Sequence, residues 1–273
     1  MPSADPVGGS STADPVGAAP SAGGGEDPAP GSLSVFPVSG LGEVVPGDDL
    51  AGLLSSALMG SISGPSTVPG GLRDGDVLVV TQKVVSKAEG RLVEIDATDP
   101  DAKRALVEQE SVRIVRRRGD LLITETRHGF ICANSGVDLS NVGAGTAALL
   151  PVDPDRSARR IRESLLHRHG VTVGVIISDT FGRTWRRGVT DVAIGIAGIA
   201  GIVDLRGTSD ANGRILDATE VCLADELAGA AELVMGKSRG IPAAVLRGVD
   251  PGWLRPASAA TEIVRPPDED LFR

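Results

Sequence analysis

The run Val171–Asp191, VTVGVIISDTFGRTWRRGVTD, restricts the fold more than any other stretch of the chain. From Val171 to Ile177 it is apolar and rich in β-branched residues, which reads as a strand buried on both faces. The strand is expected to stop at Ser178-Asp179-Thr180, with Gly182 breaking the chain into a loop that carries Arg183, Arg186 and Arg187. A carboxylate and a hydroxyl at a strand's end, with guanidinium groups close behind, suit a metal ion holding phosphate oxygens. Asp and Thr are also ordinary turn formers, so this stretch alone leaves open a capped turn with solvated arginines.

The preceding chain supplies a second strand ending in polar residues. Asp76–Val80 is strongly apolar and runs into TQKVVSKAEGR, which places Lys83 and Lys87 near Ser86 and Glu89 just beyond a buried strand. Upstream, LSVFPVSG reads as a short strand, and Asp48-Asp49 cap a helix bearing Leu50, Leu53, Leu54 and Leu58 at helical spacing. Glu108–Arg118 is expected to be a solvated, charged helix. Leu121–Glu125 and Gly129–Ala133 read as strands about a turn at Arg127-His128, and they lead into CANSGVDLSNVG. There Asp138 and Asn141 sit in a polar loop. They can make Asx turns, but two strands that each end in an Asp-bearing loop also bring two carboxylates to one metal. Pro154–His169 is a helix ended by Gly170, Thr219–Met235 a second amphipathic helix, and Ile241–Leu246 the closing strand. Gly195, Gly198 and Gly201 recur at intervals of three and read as close backbone packing, because they do not open a helix after a strand as a dinucleotide fingerprint would. Gly236-Lys237-Ser238 mimics the end of a P-loop, but Ala231 occupies the first glycine position and helix precedes it.

Composition narrows the class. Tyr is absent and Phe and Trp are few, so Val, Leu, Ile and Ala must build the core of a 273-residue chain. A net charge of −9 argues against a nucleic-acid partner. Met1–Gly31 is mostly Pro, Gly, Ala and Ser, repeats ADPVG, and is expected to be disordered. No apolar run has transmembrane length and no signal peptide is recognisable, so the expected location is the cytoplasm. Cys132 and Cys222 lie in apolar runs without CxxC spacing and read as buried thiols of a reducing compartment.

Seven blocks now stand in order: LSVFPVSGLGEV, GDVLVVTQKVVSKAEGR, NSGVDLSNV, LLPVDPD, ISDTFGRTWRRG, ADELAGAAELVMGK and IPAAVLRG. Together they resemble the coenzyme F420-0:γ-glutamyl ligase family, particularly its actinobacterial branch, over residues 32–249. The resemblance implies an α+β, mixed-sheet fold and an interlocked homodimer. It also implies a GTP- and divalent-metal-dependent ligase that adds L-glutamate to coenzyme F420-0 and then extends a γ-linked tail. Mg²⁺ or Mn²⁺ is the implied metal, GTP the co-substrate, and K⁺ an optional further cation. By position, Asp138, Asp179 and Thr180 match the family's metal ligands. Leu41, Gly42, Glu43, Val44, Lys87 and Asn141 match its nucleotide contacts, as does the neighbourhood of Met235, Gly236 and Lys237, with Gln82 and Lys83 beside Lys87. Two departures stand out: Gly42-Glu43 where Pro and a variable residue are common, and Lys237 where some relatives carry an acidic metal ligand. Residues 250–273 resemble the linker that leads, in two-domain relatives, into a flavin-binding nitroreductase-like domain.

The chemistry implied suits the residue types. Joining a carboxylate to an amine in water requires activating the acid, and phosphorylation by GTP makes an acyl phosphate that the amine displaces. Both reacting partners are anions, so the protein mostly positions them and neutralises charge. Lys87, Arg183, Arg186 and Arg187 are the candidate anion holders, with Arg183 taken with Asp138 and Asp179 as catalytic. A metal-dependent phosphohydrolase and a non-catalytic nucleotide-binding module are the alternatives.

Overall fold

The computed structural model describes residues 31–60, 66–96, 98–140, 142–143 and 145–272, so the expected tail, apart from Gly31, and Asn141 lie outside the described residues. In chain order the elements are β1 (Ser34–Val38), α1 (Leu50–Met59), β2 (Val77–Thr81), α2 (Gln82–Ala88), β3 (Leu92–Glu94) and α3 (Pro100–Glu110). They continue with β4 (Ser111–Arg118), β5 (Leu121–Thr126), β6 (Ile131–Ala133), β7 (Thr146–Ala148), α4 (Pro154–His169) and β8 (Gly174–Arg183). The last are β9 (Arg186–Ala197), β10 (Val203–Asp204), β11 (Glu220–Val221), α5 (Leu223–Met235), β12 (Ala243–Arg247) and α6 (Ala259–Glu262).

A five-stranded sheet in the order β1-β12-β2-β8-β9 forms the centre, and only its β2–β8 pair is parallel. The period of two along β2 divides the core. Leu78 and Val80 face one layer with Leu54 and Leu58 of α1 and Ala158, Ile161 and Leu165 of α4. Val77 and Val79 face the other with Leu227, Ala231 and Met235 of α5. The α+β architecture and mixed sheet agree with expectation. A smaller sheet, β4-β5-β6, packs with α3 around Val107, Leu122 and Leu149.

Local chemistry sets most boundaries. Asp49 and Asp153 accept backbone amides at the starts of α1 and α4, while Gly60 and Gly170 end those helices in the left-handed conformation. Gly195 lies against Pro154, where an added Cβ would come within 2.4 Å of backbone, so β9 and α4 approach as closely as the glycine repeat implied.

Three expectations are corrected. Gly182 does not break the chain: β8 continues through it to Arg183 and pairs with β9 in a long hairpin that turns at Thr184-Trp185. The charged segment Glu108–Arg118 is not one helix, since α3 ends at Glu110 and Ser111–Arg118 is a strand. Its β-branched residues Val112, Ile114 and Val115 and the turn at Gly119 favour pairing with β5, and its arginines stay exposed as on the helical reading. The second amphipathic helix starts at Leu223 rather than Thr219, because Glu220 and Val221 pair with β10. Cys132 is buried as expected, whereas Cys222 is only half-buried; both are free thiols.

The segment that follows β12 packs onto the body through Trp253, Leu254, Ala257, Ala259, Ile263 and Val264, while Leu271 and Phe272 are exposed. Asp155 of α4 accepts the amides of Ala259 and Ala260 as well as Ile196, and Glu262 accepts those of Gly201 and Ile202.

Candidate active site

β2 runs parallel to β8 and ends at Thr81 opposite Ser178, while β8 continues beyond it, and α2 begins immediately after β2. The carboxyl end of such a pair is where an open sheet leaves a crevice. A cavity of about 960 Å³ opens there. Its lining brings together Gly42, Glu43, Val44, Gln82, Lys83, Lys87, Asp138, Asp179, Thr180, Met235, Gly236 and Lys237, residues spread over almost the whole described chain. Leu41 does not line it and is buried in the core next to it. Arg183 is not part of it either. Arg183 lies at the exposed tip of the β8–β9 hairpin, where its guanidinium donates to the Arg187 carbonyl at 2.6 Å, and Arg186 and Arg187 are exposed there too.

Two devices shape the acidic side. In β8–β9 the register shifts between Ile177 and Ser178, a bulge of the kind that re-aims side chains. Beyond it Thr180 stands opposite Asp191, and the Thr180 hydroxyl donates to Asp191 Oδ1 at 2.6 Å. Asp138 is fixed by reciprocal backbone hydrogen bonds with Ala148 and follows three residues, Asn134, Ser135 and Gly136, with positive φ. Asn134 and Ser135 are strained there, and Thr124 and Ser111 hold Ser135 through its amide and hydroxyl. Gly136 can be nothing larger, since a Cβ would collide with Leu150.

The electrostatics follow. Burial, and then the charges of Asp191 and Asp138, push the Asp179 carboxyl up to about 7, although the Thr180 amide and Lys237 oppose this. Burial works in the same direction on Asp138, but hydrogen bonds from Lys83 and Ser140 outweigh it and hold that carboxyl below its usual value. Lys83 Nζ lies 2.6 Å from Asp138, Lys87 Nζ 2.5 Å from Glu43, and Lys237 Nζ 2.8 Å from Asp191. Burial pushes the nearby Cys132 thiol up to about 12, with Asp179 adding to the effect, so it is not a nucleophile.

Sequence reasoning missed Asp191 and Glu232. Asp191 was legible in principle, since a hairpin about Thr184-Trp185 sets it across from Thr180; reading Gly182 as a break concealed that pairing. Among the described residues no three carboxylate, imidazole or thiol groups converge to hold a metal unaided. Asp138, Asp179 and Thr180 still offer hard oxygens, and Asp179, raised first by burial and then by the charges of Asp191 and Asp138, is a carboxylate that a cation would stabilise in its charged form. Mg²⁺ commonly takes one or two carboxylates and completes its shell with water and substrate phosphate, so these residues fit such an ion.

The fold is mixed α+β, and its cleft sets lysines beside carboxylates, the composition of an enzyme's polar active-site cleft. The match to known proteins is narrower: the model of the F420-0:Gamma-glutamyl ligase family covers residues 40–248, and the chain belongs to that family. It is 43% identical over 258 residues to the coenzyme F420:L-glutamate ligase of Methanothermobacter thermautotrophicus, covering 88% of this chain and 99% of the relative. The protein of that name from Methanopyrus kandleri is also 43% identical, over 89% of this chain and 98% of its own length. That from Archaeoglobus fulgidus is 40% identical, over 88% and 96%. Membership in this family makes the chain an enzyme. Among the described residues no helix is long and apolar enough to cross a membrane.

Proposed function

We propose that the chain joins L-glutamate to coenzyme F420-0 in a reaction driven by GTP and dependent on a divalent metal, and that it adds further glutamates through γ-linkages. The observation that carries this reading is the meeting of Asp138, Asp179, Lys83, Lys87 and Lys237 in one cleft, in a chain 40–43% identical to proteins named for that ligation. In this reading the terminal carboxylate of the acceptor takes the γ-phosphoryl group of GTP, giving an acyl phosphate and GDP. The amine of glutamate attacks the acyl carbon and inorganic phosphate leaves. A divalent ion held by Asp138 and Asp179 would supply charge neutralisation at the transferring phosphoryl group. Lys87, released from Glu43, offers its ammonium to phosphate oxygens, and the loop Gly42–Val44 closes the nucleotide end. Asp179, pressed toward neutrality by burial and then by the charges of Asp191 and Asp138, gains from a bound cation.

The same reading includes a homodimer, supported by the β8–β9 hairpin. Its tip exposes Trp185 at 82% and, at the edge of the cleft, Val189 at 61%, apolar surface that a partner chain would cover. Incubation with GTP, L-glutamate and F420-0, followed by mass spectrometry and phosphate assay, tests the reaction. One glutamate gained per GTP consumed is expected. Phosphate release without ligation supports a phosphohydrolase, and nucleotide binding without turnover a binding module.

A further inference from the structure

We infer that the Lys237 ammonium is a tethered cation filling the corner between Thr180, Asp191 and Glu232, so that this chain takes one exchangeable divalent ion and not two. This rests on the metal-dependent reading above and goes beyond it by assigning the number of ions and the residue that sets it.

The corner is built from the chain's own oxygens, although Lys237 itself remains 54% exposed on the solvent side. Gly236 ends α5 with φ 61° and ψ 147°, and the chain then turns so that Lys237 reaches back over the last turn of the helix. Its Nζ lies 2.8 Å from Asp191 Oδ1 and 3.2 Å from Glu232 Oε1, and it also donates to Thr180 Oγ1. An ammonium has three donors and no acceptor, and three oxygens surround this one. A lysine at a helix's C-terminal end can be explained by the helix dipole alone, but such a side chain would extend into water. This one folds inward onto a carboxylate that is 2% exposed.

The two ends of the acidic cleft differ in the way that matters. Asp191 is buried, its other partners Ser178 and Thr180 are neutral hydroxyls, and Lys237 is the only cation in contact with it among the described residues. A buried carboxylate requires a permanent counter-charge. Asp138 is 35% exposed and also accepts the Ser140 amide, so its Lys83 partner can be exchanged for an ion without stranding a buried charge. The mobile ion belongs at Asp138 and Asp179. At Asp191 the protein supplies its own, and a second divalent ion there would meet an ammonium within bonding distance of every ligand.

The test counts Mn²⁺ bound per chain by electron paramagnetic resonance, with Mn²⁺ alone as the probe, in the parent, Lys237→Arg and Lys237→Gln. One ion is expected in the parent and Lys237→Arg, and two in Lys237→Gln. Melting provides a second readout: without Mn²⁺, Lys237→Gln should melt lower than the parent, and Mn²⁺ should restore it by more than it raises the parent. Should Lys237→Gln fold only with metal, refolding in Mn²⁺ gives the same count. Two ions in the parent, or an unchanged count in Lys237→Gln, overturns the inference while leaving the metal-dependent reaction standing. No ion in the parent and one in Lys237→Gln overturns the count of one and refutes the Asp138–Asp179 ion. No ion in either refutes both.

Discussion

Each lysine facing the cleft is engaged by a carboxylate of its own chain, so an incoming polyanion must displace an internal competitor. Glu43 is the most exposed of these, at 76%, while its partner Lys87 is 12% exposed. Lys87→Ala should weaken GTP binding by about 1.5–3 kcal/mol, the range for a charge-assisted hydrogen bond, and Glu43→Gln should tighten it in the absence of metal. Calorimetric titration of both variants in EDTA checks the pair; equal affinities in all three proteins would mean that Lys87 holds no phosphate. Asp138→Asn and Asp179→Asn should each abolish ligation in the product assay. They should differ in stability, because Asp179 is desolvated and then crowded by the charges of Asp191 and Asp138, whereas Asp138 is held by Lys83 and Ser140. Asp179→Asn should raise the melting temperature of the metal-free protein by roughly 2–4 °C, the response to about 1 kcal/mol in a chain of this size. The removal of a strained charge from a site is a common way of trading activity for stability.

At the scale of elements, helices with both caps written into them were legible: Asp153 and Gly170 bracket α4 at the residues expected. The apolar strands β2 and β8 were legible for the same reason, since their runs leave no polar face. What escaped depended on partners distant in sequence. Arginine-rich β4 has no apolar face of its own and becomes a strand only against β5, and the extension of β8 past Gly182 exists because β9 returns alongside it. Asp191 was lost from the candidate site by that second misreading, and Arg183 was placed in it by the same one. The glycine spacing was read correctly, and Gly195→Ala tests it. The added Cβ would strike the Pro154 backbone rather than a movable side chain, so a loss of about 1–3 kcal/mol or more is expected, seen as a lower melting temperature. The C-terminal clasp has a pH signature. Burial would raise the Glu262 carboxyl, but Arg255 and the amides of Ile202 and Gly201 outweigh it and hold the group below its usual 4.5. As pH falls the unfolded chain takes up that proton first, so the clasp's contribution is full above the ordinary value and lost as pH drops through the lowered one. Melting curves of the parent and Glu262→Gln should differ near neutrality and converge as pH falls through the lowered value of the folded carboxyl.

For the whole molecule, the hairpin arm carrying Trp185 is the test of assembly. Trp185→Glu should move the protein to a monomer by sedimentation, with the cleft residues of each chain still in place; an unchanged profile would exclude the arm from any dimer contact. The sheet order also bears on how the chain reaches its native state. β12, the last strand among the described residues, inserts between β1 and β2, the first two. Its arrival also completes the pair in which buried Arg247 meets Asp76 at 2.7 Å and the Pro69 and Gly71 carbonyls. Until the ribosome has released nearly the entire described chain, β1 and β2 each present an open edge and Asp76 lacks its guanidinium. Contacts so distant in sequence slow folding, and exposed apolar edges invite pairing with neighbouring nascent chains. The nascent chain thus carries two unsealed strand edges through most of its synthesis, and its yield should fall faster with synthesis rate than its equilibrium stability would suggest.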